Sequence, residues 1–302
     1  AIGTATKDIT QINIRKGTIG IAAHAFSNCT NLLSVQMPET LKFVGSSSFT
    51  GCSALETLIL PDSVRNVGIY AFSKCLSLRS ITIPNKIEKI GQYFVEGCEV
   101  LTFAEKDGIK YLGNEENPYI VAVYADKTLK DVILPSTVRV IADSAFKDCI
   151  NLVSVSLPAG LVTIEHYAFW GCTALSKINI PDSVQNISLA FELDKCLNSL
   201  YEVEDGIAYI GNWAIGVVDN TQTAYAIRKN TRGIADYCFD RSKCLTITIP
   251  NTLCFIGDNA FLRCNVLEKI IYLGSKTQWQ RCIIGHYGAD QLTVVIVEFI
   301  VE

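Results

Sequence analysis

Residues 41–61 read LKFVGSSSFTGCSALETLILP, and residues 64–84 read VRNVGIYAFSKCLSLRSITIP. The two strings superpose without a gap at a shift of 23 residues. Leu41, Val44, Phe49, Cys52, Leu55, Leu58 and Leu60 fall on Val64, Val67, Phe72, Cys75, Leu78, Ile81 and Ile83, and Pro61 falls on Pro84. The register returns at Val138, Ile141, Phe146, Cys149, Leu152, Val155, Leu157 and Pro158. It returns again at Leu161, Ile164, Phe169, Cys172, Leu175, Ile178, Ile180 and Pro181. A repeat of this length marks a chain built by stacking small units.

Each part of the repeat has a physical reading. Leu-x-x-Ile-x-Ile-Pro ends in period-two alternation, the pattern of a strand with one buried face. Proline then ends the ladder, because it has no N–H to donate. Val-x-x-Ile-Gly turns the chain back, with its glycine at Gly45, Gly68, Gly91 or Gly257. Ala-Phe then drops a ring into the core. One coil is too short to bury its own apolar face, so stacking is what removes that face from water. A buried Phe contributes roughly 1.5–3 kcal/mol by area, and its replacement by Ala costs about 3–5 kcal/mol once the cavity is counted.

The expected fold is a mostly β solenoid of about 11–12 coils over residues 1–274. It is expected as a right-handed curved array with a parallel β-sheet on its concave face. Two coils, near 101–129 and 200–222, are enlarged. They share the octets Asp107-Gly108-Ile109-Lys110-Tyr111-Leu112-Gly113-Asn114 and Asp205-Gly206-Ile207-Ala208-Tyr209-Ile210-Gly211-Asn212. Both read as β-hairpin insertions on the convex side or an edge. Residues 275–302, with Trp279 and the apolar run Leu292 to Val301, are expected as a C-terminal β cap. A capped end protects the open strand edge; the alternative is a dimer-forming strand.

Bulk properties narrow the function. Apolar residues make up 49% of the 302 and charged ones 19%, which excludes disorder. A net charge of −4 gives nucleic acid or an anionic membrane no electrostatic reason to bind. No uncharged apolar run approaches the roughly 20 residues of a bilayer span, so membrane insertion is not expected. The chain opens Ala1-Ile2-Gly3 without an initiating Met, so an upstream piece is expected to be missing. Cys29, Cys52, Cys75 and Cys98, and again Cys149 and Cys172, recur at the repeat spacing. They read as a ladder of small buried residues with free thiols, because parallel neighbours suit a disulfide poorly. Cys238, Cys244, Cys254 and Cys282 fall outside that slot and are the better places for a bridge. No Cys-x-x-Cys or His-x-x-x-His spacing is present to hold zinc, and neither metal nor cofactor is expected.

His24, His166 and His286 are the only histidines and lie in different coils. They support no Ser–His–Asp or Cys–His arrangement. The better candidate is the outward row of the concave sheet: Ser34, Gln36, Thr57, Ile59, Ser80, Thr82, Asp131, Ile133, Ser154, Ser156, Lys177 and Asn179. This face is small and polar, open to an extended partner, but equally readable as a solvated sheet. The hairpins offer a rival site through Tyr111, Tyr119, Tyr124, Tyr209 and Trp213, if those rings are exposed rather than packed.

These motifs resemble the BspA-like leucine-rich repeats, an α/β-class solenoid family. The resemblance covers roughly residues 9–273 and rests on Leu-x-x-Ile-x-Ile-Pro, Val-x-x-Ile-Gly and Ala-Phe-x-x-Cys recurring together. It implies a cell-surface or secreted protein and a non-enzymatic role in recognition or adhesion. The partner it implies is a protein or glycan, host-derived ones included, met by a monomer. It carries no catalytic motif, so it assigns no site residue. Two other readings stay open: a stiff spacer presenting another domain, and an intracellular interaction scaffold. Local departures include Val95 in the Phe slot and Arg228 in a Pro slot.

Overall fold

The computed structural model describes residues 7–191, 200–285 and 295–300. The chain winds through about twelve solenoid turns of parallel strands with almost no helix. It forms two compact units. One comprises residues 1–126, 135–145 and 160–165; the other comprises 127–134, 146–159 and 166–302.

The first unit opens with four regular coils, each holding two short strands. They are β1 (Gln11–Asn13) and β2 (Gly20–Ile21), β3 (Ser34–Gln36) and β4 (Phe43–Val44), β5 (Thr57–Ile59) and β6 (Asn66–Val67), β7 (Ser80–Thr82) and β8 (Lys89–Ile90). First strands pair in parallel, β1 with β3 and β5 with β7, so that Thr57 stands beside Ser80 and Ile59 beside Thr82. Second strands form one sheet in the order β2-β4-β6-β8. Alternation sends Ile12, Leu58 and Ile81 inward. Rings of successive coils stack inside, Phe26 on Phe49 at 5.2 Å and Phe49 on Phe72 at 5.9 Å. The glycine after the second strand is where coils approach most closely. A Cβ on Gly68 would lie 2.4 Å from the Ser46 nitrogen, so no side chain fits there.

The Ala-Phe corner is a fixed backbone device. The residue two before the ring and the residue two after it are both left-handed. His24, Ser47 and Tyr70 have φ of 57°, 54° and 55°, and Asn28, Gly51 and Lys74 have 58°, 73° and 56°. This arrangement aims alternate N–H groups at the next coil. Ser47, Phe49 and Gly51 donate to the carbonyls of Ile69, Ala71 and Ser73 at 2.7–2.8 Å. The cysteine slot adds a fourth link. Cys52, Cys75 and Cys98 each donate a thiol hydrogen, at 3.2 Å, to the ring residue's carbonyl one coil back: Phe26, Phe49 and Phe72. These residues are therefore donors as well as small apolar fillers. The eleven described cysteines carry free thiols, and Cys238, Cys244, Cys254 and Cys282, the better places for a bridge, are among them.

After four coils the stack changes. A three-stranded antiparallel meander follows: β9 (Ala104–Lys106), β10 (Ile109–Leu112) and β11 (Val121–Ala125). Asp107 and Gly108, with φ of 51° and 77°, make the two-residue turn of β9 and β10. The chain then resumes with β12 (Asp131–Ile133), β13 (Val140–Ile141), β14 (Ser154–Ser156), β15 (Thr163–Ile164), β16 (Lys177–Ile178) and β17 (Asn186–Ile187). Within the first unit, β11 pairs in parallel with β13, and β13 with β15. The enlarged coil is therefore no protruding insertion. Its last strand occupies the second-strand position of a coil, because Val121 and Ala122 take the register of Val140 and Ile141.

The second unit holds the first-strand sheet β12-β14-β16. Its own meander is β18 (Glu202–Glu204), β19 (Ile207–Ile210) and β20 (Trp213–Val217), turning at Asp205 and Gly206 with φ of 49° and 76°. Then come β21 (Ala224–Ala226), β22 (Gly233–Ile234), β23 (Thr246–Pro250), β24 (Phe255–Ile256) and β25 (Lys269–Leu273). The end consists of α1 (Lys276–Trp279), β26 (Ile283–Ile284) and β27 (Ile296–Phe299). Ser275 and Gln278 close a reciprocal cap over α1, and Trp279 packs edge-on to Tyr272 at 5.2 Å. β26 continues the second-strand sheet and β27 the first-strand sheet, both in parallel. The described part of the C-terminal apolar run thus forms another coil; residues 292–294 and 301 lie outside the described residues. Among the described residues no helix is long and apolar enough to cross a membrane.

Candidate recognition surfaces

Outward residues of the first strands are displayed as the alternation requires. In the first unit Ser34, Gln36, Thr57, Ile59 and Ser80 are exposed and Thr82 is half-buried. In the second unit Asp131, Ile133, Ser156, Lys177 and Asn179 are exposed and Ser154 is half-buried. Each unit brings its own set together in register, Asp131 beside Ser154 and Ile133 beside Ser156. Ser154 Oγ donates to Asp131 Oδ1 at 2.5 Å. Each set contains one isoleucine that leaves most of its surface in water, Ile59 at 70% and Ile133 at 79%. Both occupy the same position of the repeat, Ile59 beside Thr57 and Thr82 and Ile133 beside Asp131 and Ser156. Burying one such side chain against a partner is worth about 1.5–3 kcal/mol.

Most of the meander aromatics do not form the rival site that exposed rings would offer; Tyr124 is the exception. Tyr111 is 1% exposed and Trp213 is 2% exposed. The cause is the splicing of the meanders into the sheets: both faces of β19 and most of β20 are covered. Trp213 stacks on Phe255 at 6.1 Å, with Gly233 beneath its ring leaving no room for a Cβ. Tyr209 is buried too, capped by the Arg228 guanidinium 4.3 Å from its centroid. Burial pushes its hydroxyl up to about 12, against hydrogen bonding from Arg228. That contact explains Arg228 in a proline slot. Tyr119 is half-buried, edge-on to Tyr111 at 5.2 Å and under the Lys106 ammonium.

Two exposed aromatic features remain, a corner pair that the sequence reading missed and a meander ring that it did not. Tyr70 and Tyr93 share the left-handed position before the ring slot and stack at 5.1 Å on the surface. Tyr124, 47% exposed, closes edge-on against Phe103. Its hydroxyl is pushed up by burial first, then by Cys98, Glu96 and Asp143 beside it. Tyrosine at the same position of adjacent coils was the available signal for the first; the second was already a candidate as an aromatic of the enlarged coil. Of the histidines, His24 sits in its corner with φ of 57°. His166 stands half-buried with Nε2 4.0 Å from Asp236 Oδ2, and His286 lies outside the described residues. Among the described residues no group of three or more His, Cys, Asp or Glu side chains is arranged to hold a metal ion.

Comparison with known proteins agrees with the repeat. The BspA type leucine rich repeat region matches residues 4–116, 121–216 and 190–284. No curated protein matches the chain. Among solved structures, a leucine-rich repeat protein from Bacteroides ovatus is 23% identical, with a TM-score of 0.36. It aligns with 97% of this chain, which spans 63% of that protein's length. A leucine rich repeat protein of T. pallidum is 26% identical over 64% of this chain and 82% of its own, with a TM-score of 0.37. A leucine rich cell surface protein from Faecalibacterium prausnitzii is 21% identical over 91% of this chain and 82% of its own, with a TM-score of 0.33. Repeat spacing, ring slot, thiol slot and stacked parallel strands all coincide with the family matched over most of the chain: this protein belongs to the BspA type leucine-rich-repeat family.

Proposed function

We propose that the chain is a non-enzymatic recognition module working outside the cell or at its surface, and that its partner is a protein or glycan met across the first-strand faces. One observation carries this reading. Ile59 and Ile133 project from polar rows, beside Thr82 and Ser156 respectively, where neither contributes to the core. Each row pairs a flat hydrogen-bonding surface with a single apolar anchor, the division of labour of a small interface. Such a face tolerates an extended partner, because the serine and threonine hydroxyls can donate or accept.

The test is binding of the purified chain to arrays of glycans and matrix proteins, repeated with Ile59→Ser, Ile133→Ser and the double variant. The expected outcome is specific binding that falls about tenfold or more in the double variant, with melting temperatures unchanged. Undiminished binding by the double variant removes the first-strand faces as the contact surface.

A further inference from the structure

The regular stack of the first unit ends at the coil of β7 and β8, and a coil end exposes hydrogen-bonding groups on three sides. Two sides are closed by later parts of the same unit. On the first-strand side, Ile83 N–H donates to the Gly113 carbonyl at 2.8 Å, and Asn114 Nδ2 donates to the Ile83 carbonyl at 3.0 Å. On the second-strand side, side chains replace the missing coil. Arg139 Nε reaches the Ile87 carbonyl at 3.0 Å, Thr163 Oγ1 reaches the Glu88 carbonyl at 2.7 Å, and Glu165 Oε1 accepts from Ile90 N–H at 3.3 Å.

The third side, the ring corner, stays open. The corner at residues 93–97 keeps the backbone of the corners below it, with Tyr93 at φ 57° and Gly97 at φ 73°. In the coil beneath, the same positions Phe72 and Lys74 donate to Phe94 and Glu96 at 2.8 and 2.7 Å. Val95 N–H and Gly97 N–H, aimed the same way, find no acceptor among the described residues. A cavity of about 250 Å³ stands over them, walled by Tyr93, Tyr124, Glu96 and Asp143.

We infer that this corner docks a basic peptide, whose main-chain carbonyls take the place of the absent coil. The inference rests on reading the chain as a recognition module and names one partner chemistry for it. Donors two residues apart match alternate carbonyls of an extended strand, as in strand addition to a sheet edge. An anion would suit the amides alone, but the carboxylates of Glu96, which is exposed, and of Asp143, in the cavity wall, oppose it. A lysine or arginine side chain meets those carboxylates and lies against the Tyr93 and Tyr124 rings, where a cation is favoured.

The test titrates the full chain with fluorescein-labelled Thr-Lys-Val-Lys-Val-Thr and with the peptide carrying Glu for Lys, followed by anisotropy at low salt. The basic peptide is expected to bind at least about tenfold more tightly than the acidic one. Glu96→Lys is expected to cost about tenfold and the remote Glu39→Lys less than about twofold. Hydrogen exchange at Val95 and Gly97 is expected to slow on addition of the basic peptide. Equal binding of the two peptides, equal effects of the two variants, or unchanged exchange at residues 95 and 97 overturns the site. The two proposals fail separately. If the Ile59 and Ile133 double variant abolishes array binding while the peptide shows no preference, the recognition reading stands and this site falls. If neither array nor peptide binds, both fall.

Discussion

At the residue scale, the thiol slot shows how one atom serves two purposes. The Phe49 carbonyl accepts the Cys52 N–H from its own coil at 3.2 Å and the Cys75 thiol from the next at 3.2 Å. Ser242 stands in the slot where one coil lacks the cysteine, with its N–H bonded to the Phe239 carbonyl at 3.0 Å. A slot that needs only apolar volume punishes serine more than alanine; a slot that needs a donor does the reverse. Cys75→Ala is expected to cost about 1–2 kcal/mol in urea unfolding, and Cys75→Ser less. The reverse order returns the slot to a filler. Burial, the largest cause, pushes Cys98 up to about 11 and Cys52 and Cys264 up to about 12, from an ordinary 9.0. The folded state therefore holds these protons more tightly than the unfolded chain. Stability from them is complete below pH 9 and is lost as pH rises through 11 to 12. Urea midpoints are expected to stay flat on this account up to pH 8 and to fall between pH 9 and 11, less steeply in Cys98→Ser. Lys74, left-handed at φ 56°, occupies the position that Gly51, Gly97 and Gly171 fill in other coils. Lys74→Gly is expected to raise stability by about 0.5 kcal/mol by removing the Cβ strain.

At the scale of the element, close approach of coils decides which glycines are essential. Gly68→Ala places a Cβ 2.4 Å from backbone nitrogen in the coil below, with no flexible atom to yield. It is expected to cost about 3 kcal/mol. Gly160→Ala meets nothing nearer than the Ser136 carbonyl oxygen at 3.6 Å and is expected to stay within about 0.5 kcal/mol. Paired thermal melts of the two variants check the contrast. The strands themselves were legible from period-two alternation, since Leu58, Ile81 and Val155 point inward and their neighbours outward. The meanders were legible only as hairpins. Their octets announce a turn at Asp-Gly, but β11 and β20 enter a parallel sheet through partners, Val140 and Gly233, that belong to the following coil and not to the hairpin itself.

At the scale of the whole molecule, the break after the fourth coil is the event that shapes the first unit. Thr163→Val keeps the shape but leaves the Glu88 carbonyl without its donor in a half-buried place. A loss of about 1–3 kcal/mol is expected in chemical denaturation. No change would mean water replaces the threonine and the closure is loose. The same break leaves the corner at Val95 and Gly97 open, so a structural interruption becomes a surface with directed donors.

The 23-residue recurrence by itself determined the coil, the buried rings, the thiol ladder, the outward rows and the family. These follow from local periodicity, which each copy states again. Where Tyr111 and Trp213 go, how the meanders join the sheets, and which coil ends are closed were decided by the tertiary structure alone. Those outcomes depend on contacts such as Glu88 with Thr163, separated by 75 residues, which no local pattern encodes.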